Sequence, residues 1–155
     1  FSGSGEPTLA LNIGEAISAV KRITGKPVVI LTNSTLLNDR VVRGDIAEAD
    51  LLFCKLDAWN DLTMTRFDRP HKGIQLESIV SGIRAMKREF RGFLALQTML
   101  LRKMRRAEVE QFADLVKLIG PDEVQLNLPT RPVPNSFSVK NRENLSAAGE
   151  NSRTL

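Results

Sequence analysis

The sequence predicts an α/β fold built on a parallel sheet, and three observations carry that expectation. Apolar runs rich in Val, Ile and Leu recur along the chain, stripes of helical period lie between them, and glycines stand where the stripes stop. Continuous apolar runs suit strands covered on both faces, as in a parallel sheet. Strand and helix in alternation predict βα units with right-handed crossovers. A barrel, a part-barrel and an open doubly wound sheet all satisfy this order. Each places its chemistry at the C-terminal ends of the strands.

The elements follow in order. The opening stretch "FSGSGEPTL" reads as the tip of a first strand. Ile13, Ile17, Val20 and Ile23 then share one helical face, with Asn12 as the expected cap and Glu15 three residues on. "KPVVILTN" (26–33) is a strand, and 38–49 is a weaker helix. "DLLFCKLDAWN" (50–60) is the next strand. Ile79, Val80, Ile83, Met86 and Phe90 make a second stripe, followed by the strand "FLALQTMLL" (93–101). Val109, Phe112, Val116 and Ile119 make a third, followed by "DEVQLNLPT" (122–130). Gly25, Gly92 and Gly120 are expected to end the three helices in left-handed geometry. Beyond Pro134 the pattern lapses. A domain over 1–132 is expected, with 133–155 a polar tail without fixed structure.

Composition narrows the class. The 155 residues are enough for one domain with a real core. No stretch approaches the roughly 20 apolar residues of a membrane span. A single cysteine, Cys54, excludes an internal disulfide and any multi-cysteine metal site built from this chain alone. It is expected to be a plain core residue in a reducing, cytoplasmic setting. The net charge of +4 suits solubility and leaves acidic substrates or RNA as partners.

Five strand tips are polar: Gly3 to Thr8; Thr32, Asn33 and Ser34; Lys55 and Asp57; Gln97 and Thr98, with Arg102 and Lys103 beyond; and Gln125 and Asn127, then Thr130 and Arg131. Polar groups at the ends of apolar strands cost desolvation unless paired, so five together predict a polar cavity. The opening glycines let backbone approach a ligand closely. A third glycine of a dinucleotide fingerprint and the Gly-Lys-Ser/Thr of a Walker loop are both missing. Glu6 offers an acceptor for an ammonium, so the stretch suits a zwitterion better than a phosphate. Trp59 either stacks on a ligand or packs over the sheet rim. His71 is expected to be a surface or capping residue rather than a base. Asp68 and Arg69 are expected in a solvated loop after the strand, with substrate contact as the other reading, and "RKMRR" (102–106) in a further loop, placed where it could meet phosphate.

The ordered pieces "SGSGEPTL", "TNST", "KLDA", "RPHKGIQLESIVSGI", "LQTML" and "VQLNLPTRP" resemble radical S-adenosylmethionine proteins, above all the iron–sulfur oxidoreductases related to wyosine-synthesis enzymes. The resemblance runs from Phe1 to about Pro132. It implies a partial (β/α)6 TIM-like barrel of parallel strands, here with the first βα unit missing. It implies S-adenosylmethionine and a [4Fe–4S] cluster as cofactors, a flavodoxin or ferredoxin as reductant of the full protein, and a small-molecule or RNA-base substrate. By resemblance, Gly3, Ser4, Gly5, Glu6 and Pro7 hold the amino group of S-adenosylmethionine. Asp57 and Lys55 meet its ribose and carboxylate, and Asn33 and Ser34 line the same cavity. Gln97 and Asn127 are further cofactor contacts; Arg102 and Arg131 are substrate contacts. Glu6, Asn33 and Asp57 are then expected to converge on one hollow. The family's Cys-x3-Cys-x2-Cys motif, which ligates the cluster, does not occur in this sequence. The chain therefore reads as a fragment that begins mid-strand and is inactive alone. Two other readings stand beside it. One is a degenerate barrel binding a nucleoside, RNA or a protein partner. The other is a Schiff-base aldolase using Lys55, opposed by the neighbouring Asp57, which favours the charged amine.

Overall fold

The computed structural model describes residues 1–3 and 5–129. After a 3-10 turn at Pro7–Leu9, the chain runs α1 (Ile13–Thr24), β1 (Val29–Thr32), α2 (Arg40–Ile46), β2 (Leu51–Lys55), α3 (Asp61–Phe67), α4 (Leu76–Glu89), β3 (Phe93–Met99), α5 (Arg106–Ile119) and β4 (Glu123–Asn127). The four strands form one sheet in the order β1-β2-β3-β4. Every pair is parallel, and the register aligns Ile30 with Leu52 and Leu52 with Leu94. Phe1 extends the sheet by one residue beyond β1. Its ammonium donates to the Val29 carbonyl, and its own carbonyl accepts from the Leu31 N–H at 3.0 Å.

Alternation along the strands separates two faces. Ile30, Leu52, Cys54, Leu94 and Leu96 join one core with Ile13 and Ile17 of α1, Ile46 of α2, Ile79, Ile83 and Met86 of α4, and Phe112 and Ile119 of α5. All four of those helices thus cover the same face. The other face carries Leu31, Phe53, Lys55, Phe93, Ala95 and Gln97, and is more open: Leu31 is 38% and Phe93 39% exposed. Sequential strand order with helices on one face is the winding of a barrel wall. A doubly wound sheet would place helices on both faces. The fold is α/β, a partial TIM-like barrel.

Three local expectations are corrected. Asn12 precedes α1 but makes no side-chain cap. Gly25 and Gly120 do end α1 and α5 at φ 62° and 65°. Gly92 ends nothing: α4 stops at Glu89, and Gly92 serves close packing instead. A Cβ there would stand 2.4 Å from the Asp50 carbonyl oxygen and 2.7 Å from the Phe90 ring. The strands are not uniformly buried on both faces either. Lys55, Phe93 and the edge strand β4 are partly open, because no helix among the described residues covers that face. The sequence reading also lacked α3. Its residues, "DLTMTRF", carry no long stripe, yet Asn60 and Thr63 form a reciprocal capping box that starts it. Residues 130–155 lie outside the described ones, and with them the expected domain limit and polar tail. No helix among the described residues is long and apolar enough to cross a membrane.

Candidate functional site

Two hollows matter here, one between the opening stretch and the start of α1 and one at the C-terminal ends of β1 and β2. The first, about 300 Å³, is bordered by Gly3, Gly5, Glu6, Pro7 and Ile13. An added Cβ at Gly3 or Gly5 would meet no atom within 4 Å. Glu6 locks it to the sheet. One carboxylate oxygen accepts from the Thr8 N–H and hydroxyl and from the Thr32 hydroxyl at 2.6 Å; the other accepts from the Asn33 N–H at 2.6 Å. That second oxygen keeps room for a further donor.

The second hollow, about 380 Å³, has a polar wall of Asn33, Thr35, Lys55, Asp57, Asp68, Arg69 and His71 and an apolar wall from Leu56, Met64, Ile74, Leu76 and Ile79. Asn33 shapes its entrance by accepting from the Thr35 N–H and hydroxyl. Asp57 is fixed in place. Its Oδ1 accepts from the Met99 N–H at 2.7 Å, and its Oδ2 lies 2.7 Å from Lys55 Nζ. Lys55 Nζ also lies 3.7 Å from Asp68, so one ammonium serves two carboxylates. Burial would lower the Lys55 pKa, but Asp57 and then Asp68 outweigh it and the net shift is upward. The amine is thus held charged, which argues against a Schiff-base nucleophile. Asp68 moves the other way from most paired carboxylates. Burial first, then the Asp57 charge, push it up to about 6 against the pull of Lys55. His71 is exposed on the rim, with Nδ1 3.1 Å from the Lys72 carbonyl oxygen.

The expected single ring therefore resolves into two hollows. Asn33, Lys55 and Asp57 converge on one. Gly3, Gly5, Glu6 and Pro7 border the other, and the Glu6–Asn33 hydrogen bond joins them. Ser34 is corrected out of both. It is fully buried at φ 68°, and its hydroxyl donates to the Lys55 carbonyl at 3.1 Å, tying β1 to β2. Gln97 donates to Gln125 at 3.3 Å on the open sheet face, and the Asn127 carbonyl accepts from the Leu100 N–H. Neither lines either of these two hollows. Arg102 is occupied by Glu108, at 2.8 and 2.6 Å, and lies over the Trp59 and Phe67 rings at 5.6 and 5.8 Å. Glu108 is held well below the usual carboxylate range by Arg102, then Arg105. Trp59 packs: it is 7% exposed and meets Phe67 edge-on. Ser4 and Arg131 lie outside the described residues. Asp68, expected in a loop, stands in the turn that ends α3 and lines the second hollow.

A profile of the radical SAM superfamily matches residues 1–116. The chain belongs to the radical SAM superfamily. It is 46% identical over 93% of its length to a UPF0026 protein of Synechocystis sp., covering 54% of that protein. It is 32% identical over 88% of its length to a UPF0026 protein of Methanocaldococcus jannaschii, covering 43%. A protein of Brachyspira hyodysenteriae named GTPase Obg matches at 38% identity over 87% of the chain, which is 20% of that protein. The chain thus spans about half the length of the two UPF0026 relatives and less of the third. Among solved structures, a domain of a pyruvate-formate lyase-activating enzyme from Bacteroides vulgatus superposes with a TM-score of 0.61 at 17% identity, covering 95% of this chain and 87% of that one. That likeness shows the fold.

The superfamily implies S-adenosylmethionine and a [4Fe–4S] cluster. The bare glycine notch beside a carboxylate fits the amino-acid end of the first. The described residues do not fit the second. Cys54 is fully buried in β2, and its thiol is pushed up to about 12 by burial, against a Ser34 hydrogen bond. No three metal-ligating side chains gather among the described residues. Cluster thiolates must be ionised and accessible, and this chain offers none.

Proposed function

We propose that this chain is the S-adenosylmethionine- and substrate-holding part of a radical enzyme whose cluster ligands lie outside it. The notch of Gly3, Gly5, Glu6 and Pro7 takes the amino and carboxylate end of S-adenosylmethionine, and the ribose reaches toward Asn33 and Asp57. S-adenosylmethionine in such an enzyme supplies a 5′-deoxyadenosyl group for hydrogen abstraction from substrate. The chain's own residues bind, orient and shield. Glu6 fixes the notch against the end of β1, and Asp57, anchored on the β3 backbone, orients Lys55. The second hollow then holds substrate. A flavodoxin- or ferredoxin-type reductant serves the whole protein, and a cytoplasmic setting suits that chemistry.

The observation that carries this reading is the meeting of the glycine notch and the Asn33–Asp57 wall through one Glu6 carboxylate, at the strand ends where such folds bind ligands. Gly5→Leu tests it, because Gly5 borders the notch and a Cβ there meets no atom within 4 Å. Titration calorimetry should show S-adenosylmethionine binding to the full chain, and at least a tenfold loss in Gly5→Leu with an unchanged melting temperature. Equal affinity in the variant, or no binding to the parent chain, overturns the reading.

A further inference from the structure

The second hollow has features that binding S-adenosylmethionine does not require. Its polar wall holds two carboxylates but one partner ammonium: Asp57 and Asp68 both use Lys55. Asp57 also accepts a backbone N–H, so both its oxygens have a donor. Asp68 lies 3.7 Å from Lys55, longer than an ordinary hydrogen bond, and its other ionisable neighbour is Asp57, a second acid. Its side chain is still only 27% exposed. A part-buried carboxylate with so little compensation favours a cation beside it. Directly opposite, Leu56, Met64, Ile74 and Ile79 offer an apolar surface. A bare metal ion does not suit this lining, since no third ligand joins the two carboxylates. A hollow of about 380 Å³ is of a size that holds a small organic molecule.

From this arrangement we infer that the second hollow takes a substrate bearing a primary ammonium on an apolar body, with the ammonium against Asp68 and the body on the Leu56–Met64–Ile79 wall. The inference rests on reading that hollow as the substrate cavity. The charged and titratable groups that line the hollow with Asp68 are Lys55 and Asp57 at the end of β2 and Arg69 and His71 from the loop after α3. The β1–α2 segment contributes Asn33 and Thr35, and α4 contributes Leu76 and Ile79, all uncharged.

Three matched probes test it on the full chain: hexylammonium, hexanol and hexanoate, with binding read by ligand-observed NMR. Hexylammonium should bind at least tenfold more tightly than the other two at pH 7.5. Its affinity should fall as pH drops through the range in which Asp68 takes a proton. Asp68→Asn should remove the preference for ammonium over hexanol. Lys55→Gln, which leaves both carboxylates and removes the competing cation, should strengthen hexylammonium binding several-fold; thermal melts check that both variants fold. Tighter binding of hexanoate, or an unchanged preference in Asp68→Asn, overturns the inference. S-adenosylmethionine titrated into the same samples separates the two readings. If it binds and hexylammonium does not, only the substrate class fails; if neither binds, both fail.

Discussion

The two ends of the sheet use the same residue types to opposite effect. At the N-terminal end, Asp50 accepts from the Val28 N–H at 2.7 Å and from Lys21 at 2.8 Å. Asp122 repeats the device, accepting from the Leu94 N–H at 2.8 Å and from Lys87 at 2.6 Å. In each case a lysine near the end of a helix meets an aspartate just before the next but one strand, and that aspartate also accepts a backbone N–H at the start of the neighbouring strand. Both carboxylates are held below their ordinary range, chiefly by the lysine and then by the backbone N–H. At the C-terminal end, Lys55 serves two aspartates, and Asp68 is pushed up to about 6. One lysine per aspartate with a backbone donor makes a peg. One lysine for two aspartates beside a cavity leaves a carboxylate ready for a ligand. In a βα fold, the first arrangement reads as stability and the second as function.

The comparison breaks most severely at Gly92, which lies at the N-terminal end beside Asp50. Gly92→Ala places a methyl 2.4 Å from the Asp50 carbonyl oxygen, a backbone atom that cannot step aside without moving the start of β2. The expected loss is about 3 kcal/mol, the upper range for overpacking. Chemical denaturation measures it, and a loss below about 1 kcal/mol would show that the strand start is soft.

Asp122→Ala comes next. It removes the Lys87 pair and leaves the Leu94 N–H without its acceptor. The carboxylate is 34% exposed, so water recovers part of the loss, and about 1–2 kcal/mol is expected. The sign of its pH dependence follows from the depressed pKa. The peg stabilises above the ordinary aspartate range and is lost as pH falls through and below it. The deficit of Asp122→Ala should therefore be full at pH 7 and fade in acid, as a pH series of melts would report.

The contrast between the two ends also marks how far the sequence could be read. The wall was legible because it depends on periodicity. Ile79, Val80, Ile83, Met86 and Phe90 are all buried as their spacing predicts. The α1 stripe was legible only in its first half, since Ile23 is 79% exposed and just Ile13 and Ile17 reach the core. At the strand tips, sequence gave the level but not the direction. Asn33 and Ser34 are adjacent, and backbone conformation alone sends one to the hollow and the other under the sheet. Glu6 was identified as an acceptor, but its four internal donors depend on the fold bringing Thr32 and Asn33 across to it. Asp68 required α3, a helix of seven residues set by a cap and by tertiary packing rather than by a stripe.

The smallest effect has the opposite sign and sharpens the comparison furthest. Asp68 carries a folded-state pKa raised from 3.8 to about 6. A carboxyl group raised in the fold is favoured there in its protonated form, so its contribution is most favourable at low pH and is lost as pH rises through about 6. Above that point the ionised group is a net cost, about 1–2 kcal/mol once its partial exposure is allowed for. Asp68→Asn removes that ionisation while keeping the shape. The variant should melt a few degrees above the parent chain at pH 8 and match it near pH 4. Asp122→Asn, where the charge is compensated, should instead melt lower at pH 8. If both substitutions lowered stability at pH 8, Asp68 would be a structural peg like Asp122, and the second hollow would lose the uncompensated charge that marks it as a binding site.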